Sequence, residues 1–208
     1  AQKYSIKHFI GMRESGTALL ADLVCYPPVI RSYNGPRIVS TTSKYYKSSE
    51  GDLKREMTPI MDWVEKHAGP VGDIQSGGSV ATSAFDLLLN LGCSPIILVG
   101  QDLAYTGREI HCSGTHHNDE WLPRYTRFYN LDTINQNVVR RRKIKYVPAY
   151  GGAGTVISDF VFDLYRGWFE DSARKVKVPV INATEGGARV ANTEERSLAS
   201  LVERYPVR

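Results

Sequence analysis

No stretch of this chain approaches the ~20 consecutive apolar residues of a bilayer-spanning helix. The opening residues, "AQKYSIKHFIG", lack the apolar core of a secretory leader. Low-complexity tracts, internal repeats and linkers are missing as well. Cysteine is scarce: Cys25, Cys93 and Cys112 are an odd number at irregular spacing. They read as reduced thiols of a cytoplasmic protein rather than a disulfide framework. No membrane partner is expected. The charge balance has little of one sign in excess. A net +4 is too weak alone to imply nucleic acid, and it suits anionic small molecules. Two phosphate-binding signatures are also missing. There is no Gly-Lys-Ser/Thr of a P-loop, and "GGSVATSA" lacks the third glycine of a dinucleotide fingerprint. The chain does not begin with Met, and we expect a processed product or a piece of a longer chain.

What is present is enough for a core. The 208 residues are 42% hydrophobic, and a single domain over 1–208 is the default expectation. "RIVSTTS" (37–43), β-branched after Asn34-Gly35-Pro36, predicts a strand. Residues 52–68 carry Leu53, Met57, Ile60, Met61 and Val64 at helical spacing, with Pro59 expected to kink or interrupt the helix. A helix over 79–91 has an apolar stripe of Val80, Ala84, Leu87, Leu88 and Leu91, and Gly92 terminates it. "PIILVG" (95–100) is apolar without alternation, as a strand covered on both faces reads. A long polar stretch from 101 to about 130 follows, the kind of segment that forms lids or binding loops. Residues 145–154 predict a strand and a glycine turn, 157–174 an aromatic-rich helix and 178–182 a strand. A closing helix starts near Thr193 as N-cap. Strands alternating with helices predict an α/β fold with a mostly parallel sheet flanked by helices, Rossmann-like.

In such a sheet, ligands bind beyond the carboxyl ends of the strands. Three strand ends carry small and polar residues: Gly77-Gly78-Ser79, Gln101-Asp102 and Asn182 to Gly187. Glycine lets backbone approach a ligand, and helix N-terminal amides favour an anion. Each motif alone is also explained as ordinary punctuation: Ser79 as an N-cap, Asp102 as a loop cap, Glu185 as a solvated residue. Together they suggest a pocket.

Three of five histidines fall close together: His111, His116 and His117, beside Cys112, Asp119 and Glu120. An imidazole titrates near neutral pH, so His111 is first a candidate acid/base or substrate contact. A surface loop is the second reading, and zinc, whose usual ligand spacings these do not match, the third. The basic run "RRRKIK" (140–145) is a solvated face or a grip for phosphate or an acidic partner. Aromatics are not interleaved with it, which disfavours nucleic acid.

"GGSVATSAFDLLLNLGCSPIILVGQDLAYTG", then "HCSGT" and "VINATEGGARV", resemble the motility accessory factors of bacteria. Those proteins are implicated in glycosylating flagellin with nonulosonic acids. Their core domain is shared with an archaeal 6-hydroxymethylpterin diphosphokinase and is similar to bacterial sialyltransferases. The match runs from roughly Leu19 to Val202 and is most specific at 77–115 and 180–190. The resemblance implies that Gly77, Gly78, Ser79 and Thr82 face nucleotide phosphates, with Gln101, Asp102 and Tyr105 in the same cleft. Thr115, Asn182, Thr184, Glu185, Gly186 and Gly187 would contact substrate or close the far side. Family members carry an upstream glycine-rich loop and a strand ending in Asp, and neither is read in this chain, so a partial domain is expected.

The leading expectation is transfer of a nine-carbon acidic sugar from a CMP donor to Ser or Thr of flagellin, without cofactor or metal. His111 would be the base, supported by Asp102 and Glu185. The alternatives are ATP- and Mg²⁺-dependent pyrophosphate transfer to a pterin, with Asp102 as a metal ligand, and a flagellin-binding module without chemistry.

Overall fold

The structure is a computed structural model that describes residues 3–13, 16–56, 58–112 and 114–206. Met57, one of the expected stripe residues, and Ser113, inside the quoted "HCSGT", lie outside them. Contacts divide the chain into two compact units, Ala1–Leu87 and Leu88–Arg208.

The first unit is built on a parallel sheet. Strand β1 (Leu19–Asp22) leads through helix α1 (Pro27–Ser32) into β2 (Arg37–Ser43). An antiparallel hairpin, β3 (Tyr45–Lys47) and β4 (Leu53–Arg55), and helix α2 (Pro59–Ala68) then precede β5 (Asp73–Gln75). The sheet order is β1-β2-β5, with Leu19 opposite Arg37 and Thr41 opposite Asp73. Helix α3 (Val80–Asn90) follows β5. The Asp86 carboxylate on α3 accepts from the Gln75 amide at 2.8 Å, which pins the helix to the end of β5. Tyr45 donates to Asp73 at 2.6 Å and ties the hairpin back to the sheet.

Strand β2 has the bounds its sequence predicts. The helix expected over 52–68 does not exist as one element. Residues Leu53–Arg55 pair as β4, and Pro59 opens α2 rather than kinking a longer helix. Proline has no N–H to lose in the first turn, and it forces the preceding residue to be extended. Thr58 is extended, with φ −120° and ψ 151°. Strand β1 ends at Asp22.

Helix α3 ends as predicted. Gly92 adopts φ 77°. Its N–H reaches the Leu89 carbonyl at 2.9 Å and that of Cys93 reaches Leu88 at 3.0 Å. These are the paired bonds of a Schellman motif.

The second unit holds another parallel sheet, order β10-β9-β6: β6 (Ile96–Leu98), β9 (Val180–Asn182) and β10 (Glu194–Glu195). Between β6 and β9 run helices α4 (His116–Asp119) and α5 (Leu131–Arg140), the antiparallel hairpin β7 (Ile144–Pro148) and β8 (Thr155–Asp159), and helix α6 (Phe160–Lys175). Helix α7 (Leu198–Arg204) closes the chain. Ile181, Ala183 and Leu201 form a buried cluster with Ile97 packed against it. Coverage on both faces explains why β6 and β9 read as unbroken apolar runs.

Three expectations shift here. Residues 157–159, expected to open the aromatic helix, belong to β8. The helix starts at Phe160, three residues later than expected, because Asp159 caps it, accepting from the Val161 and Phe162 amides at 2.8 Å each. Thr193 does not cap the last helix. Its hydroxyl donates to the Val190 carbonyl at 2.7 Å, and Ser197 is the N-cap. Helix α5 was not expected at all. Asn130 caps it through a 3.1 Å bond from the Thr133 amide.

Among the described residues no helix is long and apolar enough to cross a membrane.

Candidate functional site

In the first unit the carboxyl ends of β1, β2 and β5 lie on one edge, as parallel pairing requires. Beyond β5 the chain turns through Ser76, Gly77, Gly78 and Ser79 into α3. Gly78 has φ 99°, a conformation that suits glycine. The turn is held by its own hydroxyls. Thr82, fully buried, accepts from the Gly77 amide at 2.9 Å and the Ser79 amide at 3.3 Å, and donates to the Ser79 carbonyl at 2.6 Å. Ser76 accepts from the Gly78 amide at 3.0 Å, and Ser79 from Ala81 at 3.3 Å. Four of the amides that a phosphate would use are therefore engaged by side-chain oxygens of the turn itself. The hydroxyls stand where anion oxygens would stand.

Beside this turn is a cavity of about 570 Å³, bordered by Leu20, Ala21, Ile74, Ala84 and Leu87, with Asp22, Ser40, Thr42 and Ser83 as polar members. A smaller cavity of about 130 Å³ shares Asp22, Val24 and Thr42 with it. Asp22 is fixed at the rim. Its carboxylate accepts from the Val24 amide at 2.8 Å and from the Thr42 hydroxyl. Sequence reasoning missed Asp22 because "LLADLV" is too short a run to show a strand period.

The second unit brings together the loops after β6 and β9. The Ala183 amide continues the ladder to the Leu98 carbonyl at 2.8 Å. The Gln101 amide donates to the Thr184 hydroxyl at 3.1 Å, and the Thr184 amide to the Asn182 side-chain oxygen at 3.1 Å. The Ala188 amide reaches the Asp102 carbonyl at 2.7 Å. The loops that carry Gln101, Asp102, Asn182, Thr184, Gly186 and Gly187 are thus joined edge to edge. Asn182 and Thr184 serve first to lock the two loops together. The Asn182 side-chain nitrogen is buried without a partner among the described residues.

Asp102 and Glu185 are exposed on this edge. Glu185 adopts φ 60°, uncommon for a residue with a side chain, and its carboxylate accepts from the Leu198 amide at 3.3 Å, at the start of α7. Tyr105 takes an interior position. It is 3% exposed and donates to Asp159 at 2.6 Å. Burial and that carboxylate push its hydroxyl pKa far up.

A glycine turn missed as part of this edge borders it. The Tyr150 amide donates to the Gly187 carbonyl at 3.0 Å, and its hydroxyl to the Arg196 carbonyl at 3.2 Å. Burial, then Glu195 and Glu185, raises the Tyr150 pKa. The Gly151 amide donates to Glu195 at 3.1 Å, and Arg189 lies 3.7 Å from the same carboxylate.

His111 is exposed between a short 3-10 turn (Thr106–Arg108) and α4. Thr115 opens α4, its carbonyl accepting from the Asn118 amide at 2.9 Å. The side chains of His116 and His117 lie outside the described residues. Among those described, no three His, Cys, Asp or Glu side chains converge on a point. Of the basic run, Arg142 lies 3.9 Å from Asp159 and Lys145 pairs with Asp163.

Comparisons with known proteins bear on this geometry. An uncharacterized protein of Treponema pallidum (strain Nichols) is 28% identical over 62% of this chain. The chain covers 37% of that relative's length. No solved structure gives a significant match. A family model described as 6-hydroxymethylpterin diphosphokinase MptE-like matches residues 1–108, which contain the whole β1-β2-β5 edge, the glycine turn and its cavity. The chain belongs to the 6-hydroxymethylpterin diphosphokinase MptE-like family.

Proposed function

We propose that this chain binds ATP and transfers its terminal diphosphate to the hydroxymethyl group of a pterin. The observation that supports this reading is the edge of the first sheet inside the matched segment. There a glycine- and hydroxyl-rich helix start, suited to phosphate, borders a cavity of ligand size.

In the reaction the hydroxymethyl oxygen attacks the β-phosphorus of ATP. The bond from that phosphorus to the α–β bridging oxygen breaks, AMP leaves, and the hydroxyl proton passes to a base. An incoming phosphate would replace the Thr82 and Ser79 hydroxyls as acceptor for the amides of the turn. Mg²⁺, when bound, would neutralise charge on the transferring phosphates. No protein cage for it converges among the described residues. A phosphate-bridging Mg²⁺ needs only one or two carboxylates.

The test is to incubate the chain with ATP, Mg²⁺ and 6-hydroxymethylpterin and to measure AMP. Pterin-dependent AMP supports the reading. No AMP, together with CMP binding that survives EDTA, overturns it in favour of sugar transfer from a CMP donor to a flagellin hydroxyl, with His111 as the base.

A further inference from the structure

In the second unit β7 and β8 stand as a two-stranded antiparallel ribbon. Opposite residues in such a pair alternate. One pair exchanges hydrogen bonds, and the next turns its N–H and C=O groups away from the partner strand. The Phe160 amide donates to the Lys143 carbonyl at 3.2 Å, and the Ala149 amide to the Gly154 carbonyl at 3.2 Å. Lys143 and Ala149 are therefore bonded positions. Ile144, Tyr146 and Pro148, opposite Asp159, Ile157 and Thr155, are the outward ones. The Ile157 carbonyl agrees with this phase, accepting from the Tyr105 amide at 2.7 Å on the side away from β7.

Two outward groups of β7 are already used. The Ile144 amide donates to the Arg142 carbonyl at 3.0 Å, and the Pro148 carbonyl accepts from the Arg189 amide at 2.8 Å. The Ile144 carbonyl and both the N–H and C=O of Tyr146 remain, with no partner among the described residues. Around this open edge the chain is basic. Residues 141–146 are all exposed. Arg142 lies 3.9 Å from Asp159 and Lys145 pairs with Asp163, while Arg140, Arg141 and Lys143 have no acidic partner among the described residues. Ile144 is 47% and Tyr146 67% exposed, on one face of the ribbon as alternate residues.

A strand of opposite charge fits such an edge. A second copy does not, because edge-to-edge pairing would set one basic run beside another, the way lysines guard edge strands. A phosphate backbone would use the cations but turn its oxygens toward two carbonyls. We propose that β7 is a docking edge for an extended acidic protein segment with alternating apolar residues, which adds a third strand to the ribbon. In the antiparallel sense one partner residue exchanges two hydrogen bonds with Tyr146, and the next residue but one donates to the Ile144 carbonyl. The apolar side chains of the segment lie along Ile144 and Tyr146, and its carboxylates offset the basic run. This edge takes part in no step of the proposed diphosphate transfer.

The experiment measures binding of a short fluorescent peptide of alternating glutamate and valine to the 208-residue chain, against the same peptide with lysine for glutamate. The acidic peptide should bind about tenfold tighter or more at low salt, and high salt should shrink that preference. Arg141→Glu with Lys143→Glu should abolish it. Tyr146→Pro removes an outward N–H and no bond to β8, and should weaken the acidic peptide about fivefold, the scale of one hydrogen bond. N-methylation of the peptide at its glutamates alone or its valines alone should weaken binding in one case and spare it in the other, because only alternate N–H groups face β7. Equal binding of the acidic and basic peptides overturns the proposal. So does acidic-peptide binding that is indifferent to both Tyr146→Pro and the phase of methylation, which would leave a charge contact without a strand. If Tyr146→Pro fails to fold, as judged by its melting curve, the methylated peptides decide on the unaltered chain. Tighter binding of oligothymidine through Arg141 and Lys143, or a dimer of the chain that Tyr146→Pro abolishes, also overturns it.

Discussion

Gly187 and Asp102 meet backbone to backbone: a Cβ built on Gly187 would lie 2.5 Å from the Asp102 Cα and 2.7 Å from its carbonyl carbon. The contact places the loop after β9 on the loop after β6. The neighbouring Gly186 has open space around its Cβ position. The two glycines of "TEGGA" thus have different reasons to be there. Gly187→Ala should destabilise the chain by at least about 2 kcal/mol, since φ 71° adds backbone strain to the overlap. Gly186→Ala should stay within about 0.5 kcal/mol. Urea unfolding of both variants checks the pair, and equal losses would mean that the close approach is not what selects glycine.

Tyr105 separates a structural role from a ligand role. Tyr105→Phe removes a 2.6 Å bond to buried Asp159, which keeps its two bonds from the start of α6. The expected cost is about 1–3 kcal/mol. ATP affinity should be unchanged, because the hydroxyl faces Asp159 inside the fold. A large drop in ATP binding without loss of stability would return Tyr105 to the cleft that the family resemblance implied.

These two cases show what the sequence could carry. Local chemistry was legible. Strand β2, the Schellman end of α3 and the loop junction at Gln101, Asp102 and Thr184 follow from residue types and spacing. Boundaries set by a single long-range or capping contact were not. The aromatic helix starts at Phe160 because Asp159 accepts two amides, a capping signal that the reading of Ile157 as helical passes over. Pro59 was read as a defect inside a helix, yet it is the residue that starts one. Asp22 escaped notice because a four-residue strand has too short a pattern to stand out. Its importance arises only when β1 and β2 bring it to Thr42.

Asp163 gives the chain an acid-sensitive element. Its carboxyl pKa lies below the usual value, chiefly through the bond from Lys145, opposed by burial and helped by Arg166. A depressed folded-state pKa stabilises above the unfolded value of ~3.9, and the stabilisation is lost as pH falls through the folded value. Asp163→Asn should therefore cost about 1–2 kcal/mol at pH 7 and close to nothing near pH 2. Thermal melts across pH test it, and a loss that is the same at both ends would remove the ion pairs from the explanation.

The glycine turn is the point where capping and phosphate binding compete. Gly78→Val is a poor probe, because φ 99° strains any side chain there whether or not a ligand binds. Thr82 is the better position. Its hydroxyl satisfies the Gly77 and Ser79 amides. Thr82→Val keeps the shape and removes the acceptor, leaving those N–H groups unpaired, at about 1–3 kcal/mol. If phosphate takes the place of the hydroxyl in the bound state, ATP repairs that defect. The variant should then gain more thermal stability from saturating ATP than wild type does, with affinity shifted by about tenfold or more. Thr82→Ser keeps the oxygen and should behave as wild type. If Thr82→Val melts lower and ATP affinity stays the same, the turn is a helix cap alone and the phosphate binds elsewhere in the chain.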